Sequence, residues 1–275
     1  MCNHELAIDR FRGLHSSGCF VLPNPWDVGT TRYLEQMGFE ALATTSAGMA
    51  FARGLPDDQW AITRDAALSH IREIVAATRL PVNADYQSGF ALEPEGVSAN
   101  VALCVATGVA GLSIEDSTGD PGTPLYEKGV AVERIRAARA ALDATGVPVI
   151  LTGRCEAWIV GHAEPARTAT ERLVAYAEAG ADCLYAPGVR KPEEIRAIVK
   201  AVSPKPVNVL ATGELSARQL ADLGVRRISV GSALSRVAWG AFARAVRSIV
   251  TDGSFASFAE AIPYAEINGL FGDRR

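Results

Sequence analysis

One pattern recurs eight times along this 275-residue chain and limits the folds open to it. Short β-branched or apolar runs stand at 20–23 (FVLP), 41–45 (ALATT), 81–85 (PVNAD), 111–115 (GLSIE), 148–152 (PVILT), 182–186 (DCLYA), 206–210 (PVNVL) and 227–231 (RISVG). Between them lie helix-length segments such as WDVGTTRYLEQMG, AVERIRAARAALDATG and ARTATERLVAYAEAG, with apolar residues near every 3.6 positions and glycine at several of their ends. Eight strand–helix units in series predict an α/β fold, a parallel (β/α)8 barrel rather than an open doubly wound sheet. No linker or low-complexity stretch breaks the series, so the expectation is a single domain over 1–275, with 232–275 as a C-terminal helical segment for oligomerisation. The helix after the last strand, SALSRVAWGAFARAVRSIV, is apolar around most of its circumference. Such a helix needs cover on both sides, which suggests a subunit interface.

Composition narrows the partners. A net charge of −4 with scattered basic residues gives no reason to expect nucleic acid, and no apolar run reaches the length of a membrane span. The N-terminal residues lack the order of a secretory signal, so the chain reads as cytoplasmic. Five widely spaced cysteines without a CxxC pair argue against disulfides and zinc; Cys155 reads first as a core filler and second as a reactive thiol. Two inter-strand regions, 46–61 and 116–130, exceed the minimal repeat and are rich in Gly and Pro, as lids often are.

In such a barrel the strand C-termini converge on one mouth, which makes the polar residues there the candidate site: Asn24, Thr45 with Ser46, Asn83 with Asp85, Glu115 with Asp116, Arg154 with Glu156, and Asn208. Asp85 and Glu115 on adjacent strands, facing Arg154 from the next, suit a divalent cation and an anionic substrate; the alternative is an internal salt-bridge network. None of the four lysines ends a strand, and no histidine stands where an acid or base is needed. Electrophilic stabilisation of an enolate oxygen by a metal and Arg154 is what remains. A competing phosphate-binding reading rests on ATGELS and GSALSR after strands seven and eight.

The motifs TTSAG, GLPD, NADYQSGF, GLSIEDS, ILTGRCEAWIVG, AGADCLYAPG and NVL, in this order, resemble the isocitrate lyase and phosphoenolpyruvate mutase superfamily. The resemblance implies a (β/α)8 barrel whose last helix is exchanged between subunits of a dimer or tetramer. It also implies Mg2+, with Mn2+ as its substitute, and a 2-oxo carboxylate ligand whose adjacent C–C or P–C bond is made or broken. By the same resemblance Thr45, Ser46, Ala47 and Gly48 grip the substrate. Asp85 and Glu115 enter the metal shell, with Asp57 holding its water and Asn83 as a further ligand. Arg154 neutralises the substrate, Asn208 contacts it, and Glu156 orients Arg154 or a metal-bound water. Arg154, Glu115 and Asp57 form the catalytic set. Asn83 stands where many members carry a metal-binding aspartate, and the loop after strand four has neither the K-K-C-G-H of the lyases nor the lysine and asparagine of the mutases. These departures favour C–C cleavage that asks little of the loop, such as oxaloacetate decarboxylation. A hydrolase or lyase of another 2-oxo acid is the near alternative, and a 2-oxo acid binding protein with little turnover is the third.

Overall fold

The structure, a computed structural model, describes residues 3–272. Eight strands form the expected barrel: β1 (Phe20–Leu22), β2 (Leu42–Ala43), β3 (Val82–Asp85), β4 (Gly111–Glu115), β5 (Ile150–Arg154), β6 (Cys183–Tyr185), β7 (Val207–Leu210) and β8 (Arg227–Ser229). All are parallel, in the order β1-β8-β7-β6-β5-β4-β3-β2. Where the ladder would close, Ala43 N–H reaches Pro23 O at 3.0 Å.

The helices are α1 (Asn3–Ser16), α2 (Val28–Gln36), α3 (Ser46–Ala52), α4 (Arg64–Ala76), α5 (Pro94–Val105), α6 (Lys128–Thr145), α7 (Pro165–Glu178), α8 (Pro192–Val202), α9 (Ala217–Asp222), α10 (Ala233–Asp252) and α11 (Tyr264–Gly272). Proline opens α5, α7 and α8, where its missing N–H costs no helical bond. Leu112, Ile114, Leu151, Leu184, Val209 and Ile228 point outward from the strands into one buried apolar layer with the helices. Gly153 permits close approach on that side: a Cβ there would lie 2.9 Å from Tyr176 Cβ of α7.

Two sequence expectations change. Region 46–61 is not one long loop, because Thr45 caps Gly48 N–H through Oγ1 at 3.2 Å and a seven-residue helix follows; only 53–63 is irregular. The second long connection ends at Lys128, where α6 begins, and its 116–127 portion is pinned by a bridge between Ser117 and Leu125.

The N-terminal segment stoppers the lower end of the barrel. Phe11 of α1 is fully buried against Gly111, at the start of β4, where an added Cβ would lie 2.6 Å from the Phe11 ring. His15 packs edge-on against Phe11 and Phe20, and its Nδ1 donates to Phe11 O at 2.7 Å. Its Nε2 is then an acceptor, facing Arg227 Nη1 at 3.3 Å. Burial, then the nearby Arg227 charge, lowers the His15 pKa to about 3, so the ring is neutral.

Candidate active site

The mouth of the barrel opens into a cavity of about 210 Å³. Thr45, Ser46, Ala47, Asp57, Asn83, Asp85, Arg154 and Asn208 all line it, so strand ends scattered over 160 positions of sequence meet in one place. Arg154 is its centre. Nη1 lies 3.2 Å from Asp85 Oδ1 and 3.2 Å from Glu115 Oε2, and Nε bonds Glu156. The register explains this meeting, since Glu115 pairs directly with Arg154 across β4 and β5, and Asp85 lies one strand further on. The Tyr185 ring lies beneath the guanidinium, 5.3 Å from centroid to Cζ.

Asp85 is held on its other side. Oδ2 accepts from Ser46 N–H and Ser46 Oγ–H, each at 2.9 Å. The Ser46 amide expected to grip a substrate is therefore committed to Asp85, at the first turn of α3. Glu115 is largely enclosed, its side chain 10% exposed, and with the Gln59 amide turned so that its nitrogen faces Glu115, Oε1 accepts from it at 3.1 Å while the Gln59 oxygen accepts from Ser88 N–H at 3.2 Å. Asp57 stands at the rim of the cavity, its outer side open to solvent.

Electrostatically the site carries more carboxylate than its cations balance. Burial raises Glu115 well above the usual carboxylate range, against the opposing pull of Arg154. Burial raises Glu156 as well, and burial followed by the Asp85 charge raises Asp57. Burial disfavours the Arg154 cation, but Glu115, Glu156 and Asp85 outweigh it and keep the guanidinium charged.

Other expected groups have different tasks. Asp116 is structural: Oδ2 accepts from Tyr176 Oη at 2.6 Å and Arg172 Nη1 at 3.0 Å, and Oδ1 accepts from Glu156 N–H at 2.8 Å. This ties Glu156, and through it Arg154, to α7. Asn24 Oδ1 accepts from Val230 and Gly231 N–H at 3.0 and 2.9 Å. Two amides at the end of β8, those of Val230 and Gly231, are thus occupied. Cys155 is fully buried and its thiol pKa is pushed far up by burial, as suits a core filler.

Among the described residues no group of three His, Cys, Asp or Glu is disposed to hold a metal ion. The expected trio of Asp57, Asp85 and Glu115 is not gathered as a cluster, because Arg154 Nη1 contacts both Asp85 and Glu115 while Ser46 takes the second Asp85 oxygen. A hard divalent ion nevertheless accepts one or two carboxylates with waters and substrate oxygens completing its shell. The donor set suits that arrangement. Asn83 Oδ1 is buried beside the cavity without a hydrogen-bond partner, and carboxylates outnumber cations at the mouth.

Two cavity residues and one neighbour of Glu115 lie outside the strand ends singled out in the sequence. Tyr185 was hidden in an apolar run, Gln59 in a presumed loop, and Arg227 stands at the beginning of its strand rather than its end. A buried arginine in a barrel strand was the available signal for the last.

A family model described as phosphoenolpyruvate phosphomutase matches residues 11–250. The chain belongs to that family. Within the isocitrate lyase and phosphoenolpyruvate mutase superfamily its relatives include an uncharacterized protein of Mycobacterium tuberculosis, 32% identical over 96% of both chains. A 2-methylisocitrate lyase of Halalkalibacterium halodurans is 27% identical over 91% of this chain and 84% of its own. Among solved structures, a candidate lyase/mutase of Burkholderia cenocepacia superposes with a TM-score of 0.94 at 47% identity, covering 99% of this chain and 98% of that one. Family membership agrees with the resemblance read from the motifs and with the barrel.

Proposed function

We propose that this family member is a cytoplasmic, divalent-metal-dependent enzyme that binds a small 2-oxo carboxylate and cleaves the adjacent C–C bond, as a decarboxylase, lyase or hydrolase. The observation that carries the reading is Arg154, presented at the cavity between carboxylates of two neighbouring strands at 3.2 Å each. The lyase relative supports the reaction class.

In this reading Asp85 and Glu115, with Asp57 through water and Asn83 through its neutral oxygen, hold Mg2+ or Mn2+. When bound, the ion supplies Lewis-acid polarisation of the 2-oxo group. Arg154 binds the ligand carboxylate and, with its planar fork, stabilises negative charge developing on the adjacent oxygen. Glu156 holds the fork in place. Thr45, Ser46 and Ala47 at the start of α3, held in shape by the Thr45–Gly48 cap, and the Asn208 amide form the wall against which the ligand is oriented. The 116–127 connection contains neither cysteine nor histidine, so decarboxylation, which needs no acid from that loop to break the bond, is the favoured reaction. We also infer self-association through 232–275, as a dimer or tetramer with exchanged helices.

Calorimetric titration of the protein with oxaloacetate and 2-oxobutanoate, with and without Mg2+, tests the site. Asp85→Ala should weaken Mg2+-dependent binding by more than ~10-fold while leaving the fold intact. Binding that is indifferent both to chelator and to this substitution would sink the proposal.

A further inference from the structure

Arg227 is 2% exposed and lines the same cavity as Arg154, yet the two arginines are balanced differently. Arg154 contacts three carboxylates, whereas Arg227 makes no ion pair among the described residues. Its hydrogen bonds go to neutral groups: Nε to Asn208 Oδ1 at 3.0 Å, Nη2 to Thr152 Oγ1 at 3.0 Å, and Nη1 to the neutral His15 Nε2 at 3.3 Å. A guanidinium has five N–H donors, and the bonds found among the described residues use three of them. Burying a cation without a counter-ion is costly, so an anion that reaches Arg227 through the cavity would be stabilised there.

The neighbours of Arg227 also favour an anion. Its bond to Asn208 Oδ1 fixes that amide, whose Nδ2 donates to Ser229 Oγ at 2.9 Å, and Asn208 lines the same cavity. Ser113 and Ser229 also line the cavity, and Thr152 gives Arg227 a further neutral partner. Charge counting points the same way. Four carboxylates at the mouth (Asp57, Asp85, Glu115 and Glu156) face one guanidinium there, so even with a divalent ion bound the formal sum is −1, and a dianionic ligand gains balance only from a further cation.

We propose that Arg227, with the Asn208 amide it orients, forms a second anion subsite at the floor of the barrel that takes the far carboxylate of a 2-oxo dicarboxylate. The assignment rests on the proposed function and narrows its ligand class from 2-oxo mono- and dicarboxylates to diacids.

Two pairs of 2-oxo acids test it: oxaloacetate with 2-oxobutanoate, and 2-oxoglutarate with 2-oxopentanoate. Within each pair a carboxylate replaces a terminal methyl. By competition or calorimetry with Mg2+, the wild-type protein should prefer the diacid of at least one pair by ~10- to 100-fold, the range of charge-assisted hydrogen bonds. Arg227→Gln should abolish that preference, weakening the diacid by ~10- to 100-fold more than it weakens the matching monoacid, and Arg227→Lys, which keeps the charge, should retain part of the preference. Equal wild-type affinities in both pairs overturn the assignment without any variant, and so does a preference that survives in Arg227→Gln. A glutamine variant that weakens both acids alike assigns Arg227 to structure alone and overturns the subsite. In these outcomes the Arg154 site still stands. If no 2-oxo acid binds the wild type at all, that site and this subsite fall together.

Discussion

His15 shows how a single side chain couples the stopper of the barrel to solution conditions. Its pKa falls from 6.5 to about 3 in the folded chain because burial, and then Arg227, disfavour the imidazolium. Between these values the unfolded chain binds the proton and the folded chain does not, so stability rises with pH across the window and is lost as pH falls from 6.5 toward about 3. A shift of this size corresponds to a few kcal/mol at most, about 1.4 per pH unit. Urea midpoints measured from pH 7 to pH 4 should therefore fall less steeply for His15→Gln than for the wild type, and identical slopes would refute the assignment. Residues of this kind were only partly legible in the sequence. Asp85, Glu115 and Arg154 could be found because strand C-termini must converge in a barrel. His15 and Arg227 could not, because their meeting depends on how a helix outside the repeat docks beneath the strands.

At the level of elements, the strands were readable and the connections were not. Each strand is a short apolar run bounded by Pro, Gly or Asp, a pattern that survives without tertiary information. Helix α3 was read as loop because seven residues give too little periodicity and its cap, Thr45, had already been given to the site. The helices also support the site in ways periodicity does not reveal. Tyr176 of α7 donates to Asp116 at 2.6 Å, and Asp116 in turn holds the backbone of Glu156 beside Arg154. Burial, then the Asp116 charge, pushes the Tyr176 hydroxyl well above the usual phenol range, so it remains a donor. Tyr176→Phe leaves the ring packing in place and removes one buried hydrogen bond to a charged group. The expected loss is roughly 1–3 kcal/mol in chemical denaturation. A variant as stable as the wild type would show that Arg172 and the Glu156 amide suffice for Asp116.

For the molecule as a whole, the outstanding feature is apolar surface at the C-terminal end. Val237, Trp239, Phe242 and Val250 of α10, Phe255 and Phe258 after it, and Tyr264, Ile267 and Phe271 of α11 are all exposed. Covering a side chain of this size is worth ~1.5–3 kcal/mol, so leaving several in water on one protomer is unfavourable. Light scattering should find the wild type above monomer mass at micromolar concentration, and Phe242→Glu should lower that mass. A monomeric wild type would contradict the interface. This segment was legible in sequence because helices with one apolar stripe and helices apolar all round differ in composition; the copy that covers it was not, since no pattern within one chain records it.

The stopper formed by α1 has a further consequence. With Phe11 and His15 filling the lower end, the cavity is a blind well, and anything seated on its floor is measured from a fixed baseline. A longer homologue of a ligand cannot slide downward to keep its reactive end in register with Arg154. Growth can be accommodated only upward, through the mouth, so the distance between the two arginines acts as a ruler for ligand length, set by the scaffold while the connections above it are free to vary.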